Sequence, residues 1–389
     1  MNCNTTRTAA LFATAALLFA GCSSAAKTGA NASVQTTTTV ATTNTSTTKT
    51  STTKVATTNG STTVKTSVTA PTAAPRAGSK AAASVKPLGT YPVGTTQVDL
   101  VDKTRGTPAN AGAPATDVRN LPTVVFYPAA TGSSLTANGK RAPAVQGAKA
   151  ADGRFPLIVF SHGVTGRGIF YRGELAAWAS AGYVVVAPDY PLSNFDSPGG
   201  PTINDVGNQP GDASFLIDAF VDEAGDSPAA KVAKQVDAEH IGAVGHSLGA
   251  ITSLGLGYLP CCEEGRVDAV VSWAGVFLPM KGQATPDPSI TGRPLLLVHG
   301  DKDPTVPYKA SVSAFHKVAS PRWFITLPGE GHVEPFLSPG TSSVSALVTQ
   351  ATLDFFDAQL KGDPNGISRL RAAVSAAGRD TATLESAGS

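Results

Sequence analysis

Gly245-His246-Ser247-Leu248-Gly249 is preceded by an apolar segment, 240–244, and followed by a helix-compatible one, 250–258. Gly-x-Ser-x-Gly between a strand and a helix makes a turn so tight that the serine takes a strained backbone conformation and presents its hydroxyl as a nucleophile. A Cβ at either glycine would clash with the neighbouring strand and helix. Five residues can match by chance, so this reading needs a base, an acid and an oxyanion hole elsewhere in the chain.

Downstream, Leu295-Leu296-Leu297-Val298 reads as a buried strand and leads into His299-Gly300-Asp301-Lys302-Asp303-Pro304. A second run, Phe324-Ile325-Thr326-Leu327, leads into Pro328-Gly329-Glu330-Gly331-His332. Upstream, the apolar run Leu157-Ile158-Val159-Phe160 ends at Ser161-His162-Gly163-Val164, a helical pattern over 171–181 ends at Gly182, and 183–187 is the next strand. Segments 98–101 and 123–127 read as the first strands, 267–273 as the strand after the serine helix, and 344–360 as the last helix. Strands alternating with helices predict an α/β fold with a mainly parallel central sheet and helices on both faces. A strand apolar at every position is expected where both faces of the sheet are covered.

With these motifs in this order, the chain resembles the α/β-hydrolase superfamily. Within it the chain looks most like the bacterial esterases related to dienelactone hydrolase and platelet-activating-factor acetylhydrolase, over about 97–360. The resemblance implies a serine esterase with a Ser247, Asp303, His332 triad. The aspartate of His-Gly-x-x-Asp is Asp303; Asp301, two residues earlier, is the rival acid, and its bland role is to cap the turn. His332 is the base because it alone follows the last strand in a Gly-x-Gly-His turn. His162 belongs to the oxyanion turn, His246 lies within the elbow, His240 starts the serine strand, His299 precedes the acid turn and His316 sits on a surface helix. The oxyanion donors implied are the N–H of Leu248, after the nucleophile, and that of Val164 in the His-Gly-x turn, with Gly163 as the alternative second donor. Trp273 and Phe277 border the pocket or pack in the core; both readings stay open.

Composition divides the chain further. Residues 1–22 read as a targeting signal: Arg7, an apolar 9–20, then Phe19-Ala20-Gly21-Cys22. The apolar core is shorter than the roughly 20 residues a spanning helix needs. Ala-Gly-Cys resembles a lipobox, in which cleavage before Cys22 leaves a lipid-bearing cysteine and a membrane anchor. An ordinary secretory signal cut nearby is the competing reading, since Phe19 stands where Leu is commoner. Residues 23–87, rich in Thr, Ala and Ser without an aromatic, Asp or Glu, bury too little apolar surface to offset their ordering entropy and read as a disordered tether. Residues 88–361 form the catalytic domain, large enough for one core; 362–389 read as a tail with one short helix that then frays.

The chain carries 30 Lys+Arg and 28 Asp+Glu, and no acid precedes Asp99, so the tether is basic while 91–389 are net acidic. A basic tether is attracted to an anionic membrane or wall polymer, although a solubilising spacer has the same composition. The basic residues are scattered without interleaved aromatics, which argues against a nucleic-acid partner. His332-x-Glu334 lacks the further ligands of a zinc site, so no metal and no cofactor is expected. Oligomeric state is not assigned by the residues. Cys261 and Cys262 are the only cysteines left after the signal and the lipidation site; they form a vicinal disulfide or stay as free thiols. The substrate is a small-molecule or polymeric carboxylic ester of short to medium acyl chain, because the loop 191–210 carries too little apolar surface for a lipase lid. An acyltransferase on the same triad and a non-catalytic envelope-binding protein are the alternatives. A peptidase of this fold is disfavoured, since its propeller or large cap does not fit.

Overall fold

The computed structural model describes residues 89–132, 136–137, 140–141, 144–222, 229–280, 292–319, 321–337 and 342–388. All lie in the second of two compact units, Pro75–Ser389. The signal segment, the lipidation site Cys22 and the tether lie outside the described residues.

Strands β1 (Val93–Asp102) and β2 (Arg119–Pro128) form an antiparallel pair. The short pair β3 (Thr136–Ala137) and β4 (Lys140–Arg141) stands apart, and β5 (Val145–Gln146) runs parallel to β1. The alternating core follows: β6 (Phe155–Ser161), α1 (Arg172–Ser180), β7 (Val184–Pro188), α2 (Gln209–Val221), α3 (Ala230–Ala233), β8 (Val236–His246) and α4 (Leu248–Tyr258). Next come β9 (Val267–Trp273), β10 (Leu295–Gly300), α5 (Tyr308–Lys317), β11 (Arg322–Leu327), α6 (Ser343–Leu360), α7 (Gly366–Ala377) and β12 (Thr383–Ala387). Among the described residues ten strands join in the order β12-β11-β10-β9-β8-β6-β7-β2-β1-β5, parallel from β7 to β11. This is the mainly parallel α/β sheet the sequence predicts.

The period of two along each strand sorts the core into two layers. Leu157, Val159, Leu295 and Leu297 face one cluster, which α2, α4 and α5 complete; Ile158, Phe160, Leu296 and Val298 face the other, with α1, α6 and α7. Gly242 on β8 is required by the second layer: a Cβ there would press into the Phe356 ring of α6.

Residues 362–388 do not fray, contrary to the tail expected from the sequence. Leu370 and Val374 of α7 are buried against the second layer, Arg369 bonds Asp354, Asp357 and Asp363, and β12 pairs antiparallel with β11. The segment Thr-Leu-Glu-Ser-Ala has weak strand propensity of its own; the open edge of β11 supplies its partner, a tertiary effect invisible in local sequence.

Candidate active site

The functional loops all leave the carboxyl ends of strands, where open α/β sheets place their ligand crevices. Ser247 follows β8 with φ 56° and ψ −118°, a region that costs a non-glycine residue about 1–3 kcal/mol. The two glycines of the motif are required by contact. A Cβ on Gly245 would overlap the Gly249 carbonyl, and one on Gly249 would overlap the Ser161 carbonyl at the end of β6. The Ser247 N–H is held by the Trp273 carbonyl at 2.9 Å.

Asp303, past β10, and His332, past β11, converge on this serine. His332 Nε2 lies 2.8 Å from Ser247 Oγ, and His332 Nδ1 lies 2.6 Å from Asp303 Oδ2. A carboxylate only accepts, so Nδ1 carries the proton and Nε2 is free to accept from the serine hydroxyl. Ser247 and His332 are 8% and 9% exposed, and the Asp303 side chain is wholly buried. Burial pushes the Asp303 carboxyl up, but the hydrogen bonds from His299, His332 and the N–H groups of Val306 and Thr305 outweigh it and hold the group well below the usual carboxylate range. The rival Asp301 faces elsewhere: its Oδ1 accepts the Gly329 N–H at 2.7 Å, tying the acid turn to the histidine turn.

Among the described residues, the N–H groups of Leu248 and Val164 donate to no protein acceptor. Leu248 opens α4, where helix geometry leaves the first N–H groups unpaired. Gly163 packs against the serine, the site of a Cβ there being 3.2 Å from Ser247 Cβ. The turn is firmly tethered. Thr165 N–H bonds Ser193 O, Phe195 N–H bonds Gly166 O, and Arg167 pairs with Asp189 at 2.7 Å and Asp196 at 2.6 Å. A buried bridge joins this tether to the nucleophile helix: Gln209 donates to Ser193 Oγ at 2.8 Å and accepts from Thr252 Oγ1 at 2.5 Å. The turn after β6 and the start of α4 are therefore fixed to one framework.

The two residues read as pocket candidates are core residues. Trp273 is wholly buried; its indole stacks on Phe336 with centroids 5.6 Å apart and donates to Thr352 Oγ1. Phe277 is buried edge-on against Tyr258. The loop that begins after β11 must travel back about 14 Å, three strand spacings, to reach the end of β8. The Trp273–Phe336 stack anchors its return, which is why the end of β9 carries a buried indole. The site also contains residues to which the sequence reading gave no role. His299 Nε2 donates to Asp303 Oδ2 at 3.0 Å, the Tyr171 hydroxyl bonds His246 Nδ1 at 2.8 Å, and the His246 ring packs on that of His332. The legible signal for His299 was its place on a strand end four residues before the acid. No group of three or more His, Cys, Asp or Glu among the described residues could hold a metal ion.

Residues 143–333 match the model of the dienelactone hydrolase family. Among solved structures, a ferulic acid esterase from Streptomyces cinnamoneus has a TM-score of 0.57 at 23% identity, over 72% of this chain and 93% of that one. At that identity the likeness is one of fold. No curated protein matches the sequence. On this fold the family match identifies an α/β-hydrolase-type carboxylic ester hydrolase, and the chain resembles dienelactone hydrolases within that class.

Proposed function

We propose that the protein is a serine esterase that cleaves carboxylic esters of short to medium acyl chain through an acyl-enzyme, with Ser247, His332 and Asp303 as its triad. The relay from Asp303 through His332 to Ser247 on a strained elbow carries this reading. Ser247 Oγ attacks the ester carbonyl carbon while His332 Nε2 takes its proton. Asp303 keeps the imidazole in its tautomer and stabilises the imidazolium. The carbonyl oxygen, now negative, faces the N–H groups of Leu248 and Val164, each worth roughly 3 kcal/mol in such a hole. Collapse of the tetrahedral intermediate breaks the ester C–O bond, and the alcohol leaves with the proton from His332. Water, deprotonated by His332, then releases the acid and regenerates Ser247. The test is a fluorophosphonate probe: wild type labels once per chain, and Ser247→Ala abolishes both labelling and hydrolysis. A folded wild type that neither labels nor hydrolyses p-nitrophenyl acetate overturns the reading.

The same proposal places the enzyme outside the cytoplasm on a lipid anchor at Cys22, from the Ala-Gly-Cys motif after an apolar segment. Mass spectrometry of a detergent extract should find a mature N-terminus at a diacylated Cys22, lost in Cys22→Ser. An unmodified N-terminus elsewhere refutes the anchor.

A further inference from the structure

We propose that His246, the residue before the nucleophile, is a positioning residue that ties the main chain of His332 to Tyr171, beside the oxyanion turn. The inference rests on the esterase reading above. His246 is buried, and both ring nitrogens are engaged: Nε2 lies 2.7 Å from the His332 carbonyl oxygen and Nδ1 lies 2.8 Å from the Tyr171 hydroxyl. A carbonyl oxygen only accepts, so Nε2 carries the hydrogen; Nδ1 of the neutral ring must then accept, and Tyr171 donates to it. Burial first, and then the neighbouring His332 imidazole, push the His246 ring down to about 3, so it keeps this single-proton form wherever the triad works.

The partners at the two ends give the arrangement its meaning. The nitrogen that bonds the Tyr171 hydroxyl, His246 Nδ1, lies 3.4 Å from the site of a Cβ on Gly163, in the turn that presents Val164. At the other end the bond falls on the main chain of the base itself. The ring also packs on the His332 and Phe336 rings, each with a centroid separation of 5.0 Å. One side chain thus bonds Tyr171 next to the oxyanion turn, adjoins the nucleophile and holds the backbone of the base. A histidine that merely filled the core would not need one polar contact on the backbone of the base and the other on Tyr171, beside the turn after β6. The His332 loop arrives from β11, three strands away, and its imidazole reaches Ser247 only if the main chain is fixed at the serine end; the Phe336 stack supplies an apolar anchor and His246 a polar one. A displacement of about 1 Å in a catalytic group can cost on the order of 100-fold in rate.

Three variants test this: His246→Phe, which keeps a ring and loses both bonds; His246→Gln, whose Nε2–H can still donate to the His332 carbonyl; and Tyr171→Phe. Each is assayed on p-nitrophenyl butyrate, with active sites counted by fluorophosphonate titration and folding followed by thermal melting. We expect His246→Phe to lower kcat per titrated site about 10- to 100-fold with KM changed less than about twofold. His246→Gln should recover most of that loss, and Tyr171→Phe should lower kcat about 3- to 10-fold. The proposal is overturned if His246→Phe keeps kcat per site within twofold of wild type, if its loss lies wholly in KM, or if Gln is no better than Phe at equal melting temperature. Should His246→Phe fail to fold, Tyr171→Phe decides: a wild-type kcat overturns the proposal and the expected fall supports it. A wild type without labelling or turnover instead fails the esterase reading, and this proposal with it.

Discussion

His299 Nε2 donates to Asp303 Oδ2 at 3.0 Å, the same oxygen that holds His332 at 2.6 Å. The other oxygen accepts the N–H groups of Thr305 at 2.7 Å and Val306 at 2.8 Å, so the carboxylate is saturated by four donors. His299 is itself pinned, with Nδ1 2.7 Å from Ser311 Oγ and Nε2 shared with the Val306 carbonyl. The acid is thus a rigid unit built by its own turn and by the strand that precedes it.

From this follows an ordering of variants. Asp303→Asn should lower kcat by about 10³–10⁴, because the amide favours the wrong tautomer of His332. His299→Leu should cost about tenfold, by releasing one of the bonds that orient Asp303. Asp301→Asn should retain most activity, since its contact is with the Gly329 N–H and its amide oxygen still accepts. Steady-state kinetics on one soluble ester checks all three; a dead Asp301→Asn beside an active Asp303→Asn refutes the acid assignment. The depressed Asp303 group also adds stability that is complete above the ordinary carboxylate value of 3.8 and is lost as pH falls below it, toward the folded-state value.

Glu174 predicts a pH dependence of opposite sign. It sits in α1, buried, and neither carboxyl oxygen has a hydrogen-bond partner among the described residues. Burial pushes its carboxyl up to about 9. The folded chain therefore holds a proton that the unfolded chain releases near 4.5, so stability is full below pH 4.5 and declines as pH rises toward 9. At pH 7 the cost is of the order of 3 kcal/mol. Glu174→Gln should remove the alkaline decline, and Glu174→Met should raise the melting temperature by several degrees at pH 8. Melting curves from pH 4 to 9 measure it; parallel profiles for wild type and Glu174→Gln would exclude Glu174 as their source.

How much of this was legible depends on how local the cause is. The elbow, both downstream turns and the parallel strands are written in short runs, because a tight turn needs its glycines and a doubly covered strand needs apolar residues at every position. Trp273 could be read as pocket wall or core, because its partner Phe336 lies far along the chain and only the returning loop brings them together. His246 looked idle for the same reason, since it takes its meaning from a carbonyl placed by another strand; His299 takes its meaning from how the turn after β10 folds the Asp303 carboxylate back onto it, which spacing alone does not show. The edge strand β12 has no strong pattern of its own and is defined by β11.

Cys261 and Cys262 are joined as a vicinal disulfide just beyond α4, partly buried against the first core layer. Thiol counting on denatured, unreduced mature protein should find no free thiol from this pair, and two after reduction. Two free thiols before reduction would show that the bridge does not form in the protein as isolated. The pair lies beyond the far end of α4 from Ser247, a helix of 11 residues that spans about 16 Å. Cys261→Ser with Cys262→Ser should therefore leave kcat within about twofold and show any effect in melting temperature.

Acyl-chain preference follows from the loop after β7. A long-chain lipase covers an extended apolar trench with a mobile helical lid. Here the segment 189–210 is pinned to the oxyanion turn by Arg167–Asp189 and Thr165–Ser193, and to β2 by the buried Arg119–Asp205 pair at 2.7 Å. Its exposed apolar side chains, Phe195 at 63% and Ile203 at 41%, are separated by Gly, Pro and polar residues and form no helix face. Phe195 instead leans edge-on toward Phe170, with centroids 6.3 Å apart. A pinned loop has no closed state to leave when it meets an interface, so interfacial activation is not expected. A p-nitrophenyl ester series from acetate to palmitate should peak at short to medium chains, with rates saturating smoothly as each substrate approaches its solubility limit. A maximum at palmitate, or a jump in rate once droplets form, would require the loop to open and would make the protein a lipase.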